Sequence, residues 1–201
     1  MEANAPQKVM INPTVTLKNL SVTTLLKAFI YLTNEILEDI EKEKSKKNEI
    51  ELQKQMMTIY VKSLINTFSG FYSLKKFYLK DLYKKIMKFC HNLIKDSSTI
   101  VVSFIYLERL LNVDCYVLNN QTYMNLISCA IALACKYNED GKIKDKFFAY
   151  LINQDIYDFV LMESFFCEGI NYDFYISSEE YYSYFSKIID YIDSKTKKSN
   201  N

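Results

Sequence analysis

Apolar residues recur at the spacing of an α-helix throughout the first half of the chain. This spacing predicts four helices, over residues 17–40, 50–68, 81–93 and 98–111. A charged run over residues 38–47 begins within the last turn of the first helix and continues past it. We therefore expect the first helix to end in a solvated segment. Asp96, Ser97 and Ser98 offer N-caps for the fourth helix, on which we expect one buried stripe.

The second half of the chain contains a segment, residues 121–137, whose middle is apolar on all sides. A helix of this kind is surrounded by others, so we expect it at the centre of the fold. Asp155 is a candidate N-cap, and Ser177 and Glu180 have the spacing of a capping box. The other predicted helices span residues 145–151, 156–170 and 177 to about 192. No segment indicates a strand, and the sequence predicts an all-α fold of about seven or eight helices.

Length and composition agree with one helical domain. The chain has 201 residues, a length that one hydrophobic core commonly spans. It contains only two prolines, Pro6 and Pro13, so proline interrupts none of the predicted helices.

The balance of charge disfavours two classes of partner. Lys and Arg total 25 against 24 Asp and Glu, without the basic excess of a general nucleic-acid binder. The longest uncharged apolar stretch, residues 126–135, is about half of what a membrane span requires. We therefore expect neither nucleic acid nor a membrane as a partner.

Cysteine usage predicts an intracellular protein, in the nucleus or the cytoplasm. The five cysteines are odd in number, show no CxxC spacing and mostly have apolar neighbours. We interpret them as reduced residues of the core, and the N-terminus lacks the layout of a secretory signal.

Candidate catalytic chemistry is almost absent from the sequence. His91 is the single histidine, and no nucleophile, phosphate-binding or metalloprotease motif surrounds it. Neither a Cys/His cluster with ligand spacing nor a calcium loop is present. The sequence therefore predicts a protein that is not an enzyme and that binds neither a metal nor a cofactor.

One charge lies where the helical pattern calls for an apolar residue. Glu163 falls on the predicted apolar face of residues 156–170, which runs through Ile156 and Val160. A buried carboxylate needs a partner or a shifted pKa, and Lys136, near a helix end, is a candidate partner. The pair has two interpretations that these residues leave open. It is either an internal salt bridge or a contact point for another protein.

Three segments resemble the cyclin box. They read Phe-Ile-Tyr-Leu-Glu-Arg-Leu-Leu at 104–111, Ala-Leu-Ala-Cys-Lys-Tyr-Asn-Glu-Asp at 132–140, and Leu-Met-Glu-Ser-Phe-Phe at 161–166. In order and separation they resemble the family patterns Y-[LI]-D-R-[FL]-L, A-x-K-[FY]-x-[ED]-[ED] and [LM]-E-x-x-[FVL]-L. The closer likeness, through residues 148–156 and 170–181, is to the phosphate-pathway, or P-/U-type, cyclins.

This resemblance implies a domain organisation. A single five-helix cyclin box would span residues 68–176, after N-terminal flanking helices over 17–67 and before a C-terminal flanking helix over 177–193. Residues 1–16 and 194–201 are expected to be disordered.

The resemblance also implies a function, namely the regulatory subunit that binds and activates a cyclin-dependent Ser/Thr kinase. The Lys and Glu with which the family contacts the regulatory helix of the kinase map onto Lys136 and Glu163. The apolar positions of that interface map onto Leu133, Tyr137, Cys167, Tyr172 and Phe174. Docking would push the kinase helix inward, so that its own Lys-Glu ion pair forms.

A structural salt bridge is implied as well. The family's Asp-Arg pair maps onto Glu108 and Arg109, and its basic residue in the first box helix maps onto Lys85, which would face Glu108. A Gly-Gly pair before the fifth box helix appears here as Ile152-Asn153.

Two other functions remain open from the sequence. The first is a cyclin-fold adaptor that binds a transcription or scaffold protein without activating a kinase. The second is an unrelated helical protein in which the charges form internal salt bridges only.

Overall fold

The computed structural model describes residues 21–45, 84, 86, 94–120, 122–138 and 144–199. Six α-helices and a short 3-10 turn at Cys115–Val117 form this part of the chain, which contains no strand. The helices are α1 (Val22–Lys44), α2 (Ser98–Val113), α3 (Tyr123–Asn138), α4 (Asp145–Ile152), α5 (Ile156–Gly169) and α6 (Ser178–Ser199). The predicted all-α class is confirmed, and no helix of the described part is long and apolar enough to cross a membrane.

Two predicted helices lie outside the described residues. These are the helices over 50–68 and 81–93, although Lys84 and Ile86 are themselves helical and Ile86 is fully buried. The N-terminal residues 1–16 lie outside them too.

Helices α2 and α3 together form the centre of the fold. Every residue of α3 from Tyr123 to Cys135 is buried, as the sequence predicted. The prediction of a single buried stripe on α2 was wrong, because Thr99–Leu107 is buried without interruption. Since α1, α3, α5 and α6 all contact α2, no side of its first half faces solvent. The buried hydroxyl of Ser103 donates to the Thr99 carbonyl at 2.7 Å and so keeps a partner.

Helix α1 starts later and ends later than the apolar spacing predicted. Ser21 is its N-cap, and the Ser21 hydroxyl accepts a hydrogen bond of 3.2 Å from the Thr24 N–H. The helix continues through the charged run to Lys44. Lys and Glu are good helix formers, and the exposed pair of Lys42 with Asp39, three positions apart, supports this last part.

Helix α6 likewise extends beyond its predicted end near Ile192 and reaches Ser199, so the tail expected to be disordered is largely helical. Its C-terminal half is tied to α1 by one carboxylate. Glu35 accepts hydrogen bonds from the Tyr191 hydroxyl at 3.0 Å and from Lys195 Nζ at 2.5 Å. Contact with α1 therefore stabilises the end of α6, for which the sequence analysis expected a disordered tail.

The turn between α4 and α5 depends on one residue in the left-handed region. Asn153 caps the C-terminus of α4 with φ of 56°, in the left-handed region, which asparagine enters at lower cost than most residues. Its N–H donates to the Tyr150 carbonyl at 3.1 Å. Two residues later Asp155 caps α5, accepting from the Tyr157 N–H at 2.8 Å, which confirms the predicted N-cap.

Aromatic side chains join α1 to the central helices. The rings of Phe29 and Phe104 meet edge to face with centroids 5.8 Å apart, and Phe104 meets Tyr184 of α6 in the same way. The Tyr123 hydroxyl of α3 donates to the Ile30 carbonyl of α1 at 2.7 Å in a buried position. Helix α1 is thus held by apolar packing together with one buried hydrogen bond.

We expect Tyr123→Phe to lower the free energy of unfolding by about 1 kcal/mol, because the ring stays while the hydrogen bond to α1 is lost. Urea denaturation followed by circular dichroism measures this change. Tyr157→Phe is the matched control, since that ring is 83% exposed. Equal losses in the two variants would contradict a role for the bond between α1 and α3.

Candidate functional site

Three charged side chains from three helices meet at one place, and we call Lys136, Asp145 and Glu163 the charge cluster. Lys136 Nζ lies 2.5 Å from Glu163 Oε2 and also forms an ion pair with Asp145 Oδ1. One ammonium is therefore shared by two carboxylates. The sequence analysis suggested Lys136 as the partner of Glu163 but did not include Asp145.

The ends of two helices bring this cluster together. Lys136 lies in the last turn of α3, where the helix dipole favours a cation, and Asp145 is the first residue of α4, where it favours an anion. Glu163 projects from the middle of α5. The helix dipoles thus stabilise the charges of Lys136 and Asp145. The charge of Glu163 is stabilised instead by its pairing with Lys136.

Glu163 is the buried member of the cluster. Only 10% of its side chain is exposed, against 30% for Lys136 and 27% for Asp145. While Oε2 accepts from Lys136, Oε1 is buried and has no hydrogen-bond partner among the described residues. A buried carboxylate oxygen without a donor is unfavourable by about 1–3 kcal/mol or more, so this atom calls for an explanation.

The pKa values of the cluster follow from burial and pairing. Burial raises the pKa of Glu163, and the hydrogen bond from Lys136 offsets this only in part. For Lys136, burial acts to lower the pKa, but hydrogen bonds to Asp145 and Glu163 outweigh it and the pKa is raised. The lysine is therefore firmly charged, while Glu163 takes up a proton more readily than an exposed glutamate does.

The buried face of α5 differs from the predicted one. Phe159, Met162, Glu163 and Phe166 point inward, whereas Ile156 and Val160, predicted to be on the buried face, are 42% and 46% exposed. The helix is apolar nearly all round, so spacing alone did not identify the side that its neighbours would cover. The result is a row of exposed apolar side chains beside the charge cluster.

The structure places the expected interface residues at different depths. Leu133 is a core residue, only 4% exposed, whereas Tyr137 and Tyr172 are about 61% and 60% exposed. Cys167 and Phe174 are half-buried. The rings of Tyr137 and Phe174 stack with centroids 4.2 Å apart and planes 20° apart. Four of the five residues thus contribute to the surface of the protein, whereas Leu133 belongs to the core.

Arg109, the single arginine of the chain, holds the segment that carries Phe174. Its guanidinium donates to the carbonyls of Asp173 at 2.5 Å and Tyr175 at 2.8 Å. It also binds both carboxylate oxygens of Glu180, at 2.9 and 2.8 Å. These fixed donors position the chain between α5 and α6 against α2.

Of the three residues expected in a structural salt bridge, Glu108 and Arg109 lie in the described part of the chain, and no ion pair joins these two to each other. Arg109 instead pairs with Asp173 and Glu180. Glu108 accepts a hydrogen bond from the Tyr184 hydroxyl. Lys85, the expected partner of Glu108, lies outside the described residues, so their salt bridge stays a prediction.

The connection after α5 contains two consecutive residues in the left-handed region. Asn171 and Tyr172 have φ of 53° and 54°, and the Tyr172 N–H donates to the Cys167 carbonyl at 2.8 Å. This conformation costs roughly 1–2 kcal/mol for a residue such as tyrosine. The exposed Tyr172 ring thus lies on a strained backbone position, a combination that often marks a functional surface.

Sequence reasoning missed three residues that build this site. Asp145 was assigned only to a helix start, although an acid in the first turn of a helix is a recognisable signal. Glu180 was assigned to a capping box, but only half of that box forms: the Ser177 hydroxyl accepts from the Glu180 N–H at 3.1 Å while the Glu180 side chain binds Arg109. Tyr106, whose hydroxyl donates to the Phe174 carbonyl at 3.1 Å, was noted only as part of a family pattern, without this role.

The thiols near the cluster are poor nucleophiles. Burial raises the pKa of both Cys129 and Cys167, and the nearby Glu163 carboxylate raises it further. No group of three or more potential metal ligands occurs in the described part of the chain. The arrangement presents a charged, partly unsatisfied centre with an apolar surround, which suits protein recognition.

No family model matches the sequence, and no curated protein matches it either. The interpretation of the site therefore depends on the contacts of its own side chains and on the motif resemblance described above.

We expect the free energy of unfolding to depend on pH through Glu163. Its folded-state pKa is raised above the ordinary value of 4.5, so the folded protein holds the proton more tightly than the unfolded chain does. This contribution is present at low pH and is lost as the pH rises through the folded-state pKa. Relative to Glu163→Gln, the wild type should lose stability as the pH rises above the ordinary value of 4.5 and through the folded-state pKa of Glu163. Urea titrations at several pH values test this, and a difference that is constant or grows with pH would contradict it.

We expect Arg109→Lys to lower the free energy of unfolding by about 1.5–3 kcal/mol, because an ammonium cannot reproduce the fork that binds two carbonyls and a carboxylate. A double-mutant cycle with Glu180→Gln isolates the contact, and a coupling of about 1 kcal/mol or more is expected. Additive effects of the two substitutions would show that this contact does not hold the segment.

Proposed function

We propose that this protein is a cyclin-type regulatory subunit that binds a cyclin-dependent Ser/Thr kinase through the charge cluster and the exposed side chains around it. The observation that carries the proposal is the pairing of Lys136 with Glu163. These are the two residues that the cyclin-box resemblance assigns to kinase contact, and they lie on two different helices.

The order of the helices supports the proposal. The resemblance gives the Asp-Arg, Lys and Glu motifs in this order, and residues 148–156, before the last of these helices, resemble the family as well. Here α2, α3, α4 and α5 follow the same order, and α3 is the buried central helix. The cyclin box as a whole remains part of the proposal.

The surface around the cluster suits a partner helix. Tyr137, the residue after Lys136 in α3, and Tyr172, in the connection after α5, expose aromatic rings, and Val160 exposes an apolar side chain three positions before Glu163 on α5. Exposed aromatic residues around a buried polar centre are typical of the energetically important part of an interface. In our proposal this surface pushes the regulatory helix of the kinase inward, and all catalytic groups lie on the kinase.

We expect Glu163→Lys to abolish capture of Ser/Thr kinase activity from a native lysate, because two like charges would then meet beside Lys136. The measurement is phosphotransfer to a generic substrate by the captured kinase, followed by stimulation of the same kinase in a purified pair. Glu43→Lys, an exposed charge reversal on α1, is the matched control and should retain full activity.

A second variant separates binding from folding. Tyr172→Asn removes the exposed ring and places a residue that tolerates φ of 54° on the strained backbone, so stability should be unchanged or higher. Kinase binding should weaken about tenfold or more, as for an interface aromatic residue. Full binding by both variants would contradict the proposal, whereas binding without stimulation of phosphotransfer would favour an adaptor.

A further inference from the structure

Side chains of α2 hold the backbone of the segment that joins α5 to α6. Three consecutive carbonyls, those of Asp173, Phe174 and Tyr175, accept hydrogen bonds from two residues of α2. The Tyr106 hydroxyl donates to the middle carbonyl, and the Arg109 guanidinium donates to the carbonyl on either side. The segment has no regular secondary structure, so these bonds take the place of those that a helix or a strand would supply.

Apolar packing leaves one side of this segment open. A groove of about 410 Å³ lies beside Phe174 and Ile176, between the start of α2, the end of α3 and the start of α6. Both side chains are half-buried, and the groove leaves one side of each without packing partners. The position of the Phe174 ring therefore depends on the hydrogen bonds from α2 as well as on its contacts with other rings.

The two residues just before the segment are strained. Asn171 and Tyr172 both lie in the left-handed region, and a backbone of this kind persists only where its surroundings hold it in place. The bonds from Arg109 begin at Asp173, which is the next residue. Loss of these bonds would let the strained pair relax and would move the exposed ring of Tyr172 from its present position.

Arg109 itself is not placed to contact a partner. Only 16% of its side chain is exposed, and both terminal nitrogens of its guanidinium already donate hydrogen bonds within the chain. The residues beside its bonds do reach the surface. The Phe174 ring stacks on that of Tyr137, which is 61% exposed and follows Lys136 in α3. An effect of Arg109 on binding would therefore pass through these rings.

We propose that Arg109 is a positioning residue for the binding surface. Its bonds to the segment between α5 and α6 fix the arrangement in which Tyr137, Tyr172 and Phe174 meet a partner, and this pre-organisation removes an ordering cost from binding. The inference rests on the proposed function, in which that partner is a kinase. The arrangement of the rings in the free protein is measured without it.

The test follows ring arrangement and kinase affinity in the same variants of the full chain. Nuclear Overhauser effects between the Tyr137 and Phe174 rings, in protein labelled at Tyr and Phe, report the stack, and the kinase captured by the wild type from a native lysate is the binding probe. Arg109→Lys should stay helical by circular dichroism, lose the ring-to-ring signal and bind the kinase about tenfold more weakly. Tyr123→Phe, which loses a buried hydrogen bond elsewhere, should keep both the signal and the affinity.

Two further variants keep the test decisive if Arg109→Lys does not fold or if it contacts the kinase directly. Tyr106→Phe removes only the donor to the Phe174 carbonyl, so its signal and affinity should fall in the same direction but less. In a Phe174→Leu background, Arg109→Lys should weaken binding less than it does in the wild type, because part of its effect passes through the missing ring.

Three results would overturn the inference. These are an intact ring signal in both Arg109→Lys and Tyr106→Phe, a lost signal with full kinase affinity, and additive losses of affinity from Arg109→Lys and Phe174→Leu. If the wild type captures no kinase, the proposed function fails, and the ring signal of the free protein still decides whether Arg109 positions the rings.

Discussion

The burial of one carboxylate, that of Glu163, constrains the structure around the charge cluster. Glu163 lies on the buried face of α5, whose other side chains are apolar, and an ionised carboxylate that is buried without a partner is strongly unfavourable. The charge is kept acceptable by Lys136, which in turn is shared with Asp145. The relative positions of α3, α4 and α5 are therefore restricted not only by apolar packing but also by the need to keep these three groups in contact.

A second constraint fixes what lies beside the cluster. The connection from α5 to α6 contains two residues in the left-handed region. Without contacts to the helices, little would hold this segment in a single conformation. Tyr106 and Arg109, both on the central helix α2, bind three of its carbonyls, and Arg109 also binds Glu180 at the start of α6. The most buried helix thus determines where an exposed loop places its aromatic rings, which makes the surface pre-organised for binding.

Local pattern predicted much of this fold and only part of the site. The helices, the central position of α3 and the cap at Asp155 followed from spacing and capping, because these depend on neighbours in the chain. The full burial of α2 and the true inner face of α5 did not, since both depend on which helices cover them. At the site, Glu163 stood out because it breaks an apolar pattern. Asp145, Tyr106 and Glu180 act through contacts between distant residues, which no periodicity encodes.

The contact between α1 and α6 has a consequence for the order in which the chain can fold. Glu35 finds its partners 156 and 160 residues further along, at Tyr191 and Lys195. Closing so long a loop is entropically costly before the intervening helices have packed. During synthesis on the ribosome, α1 would therefore emerge long before the helix it pairs with, leaving part of its surface uncovered until the last turns of α6 are made. We therefore expect the pairing of α1 with α6 to form late in folding, after the helices between them have packed.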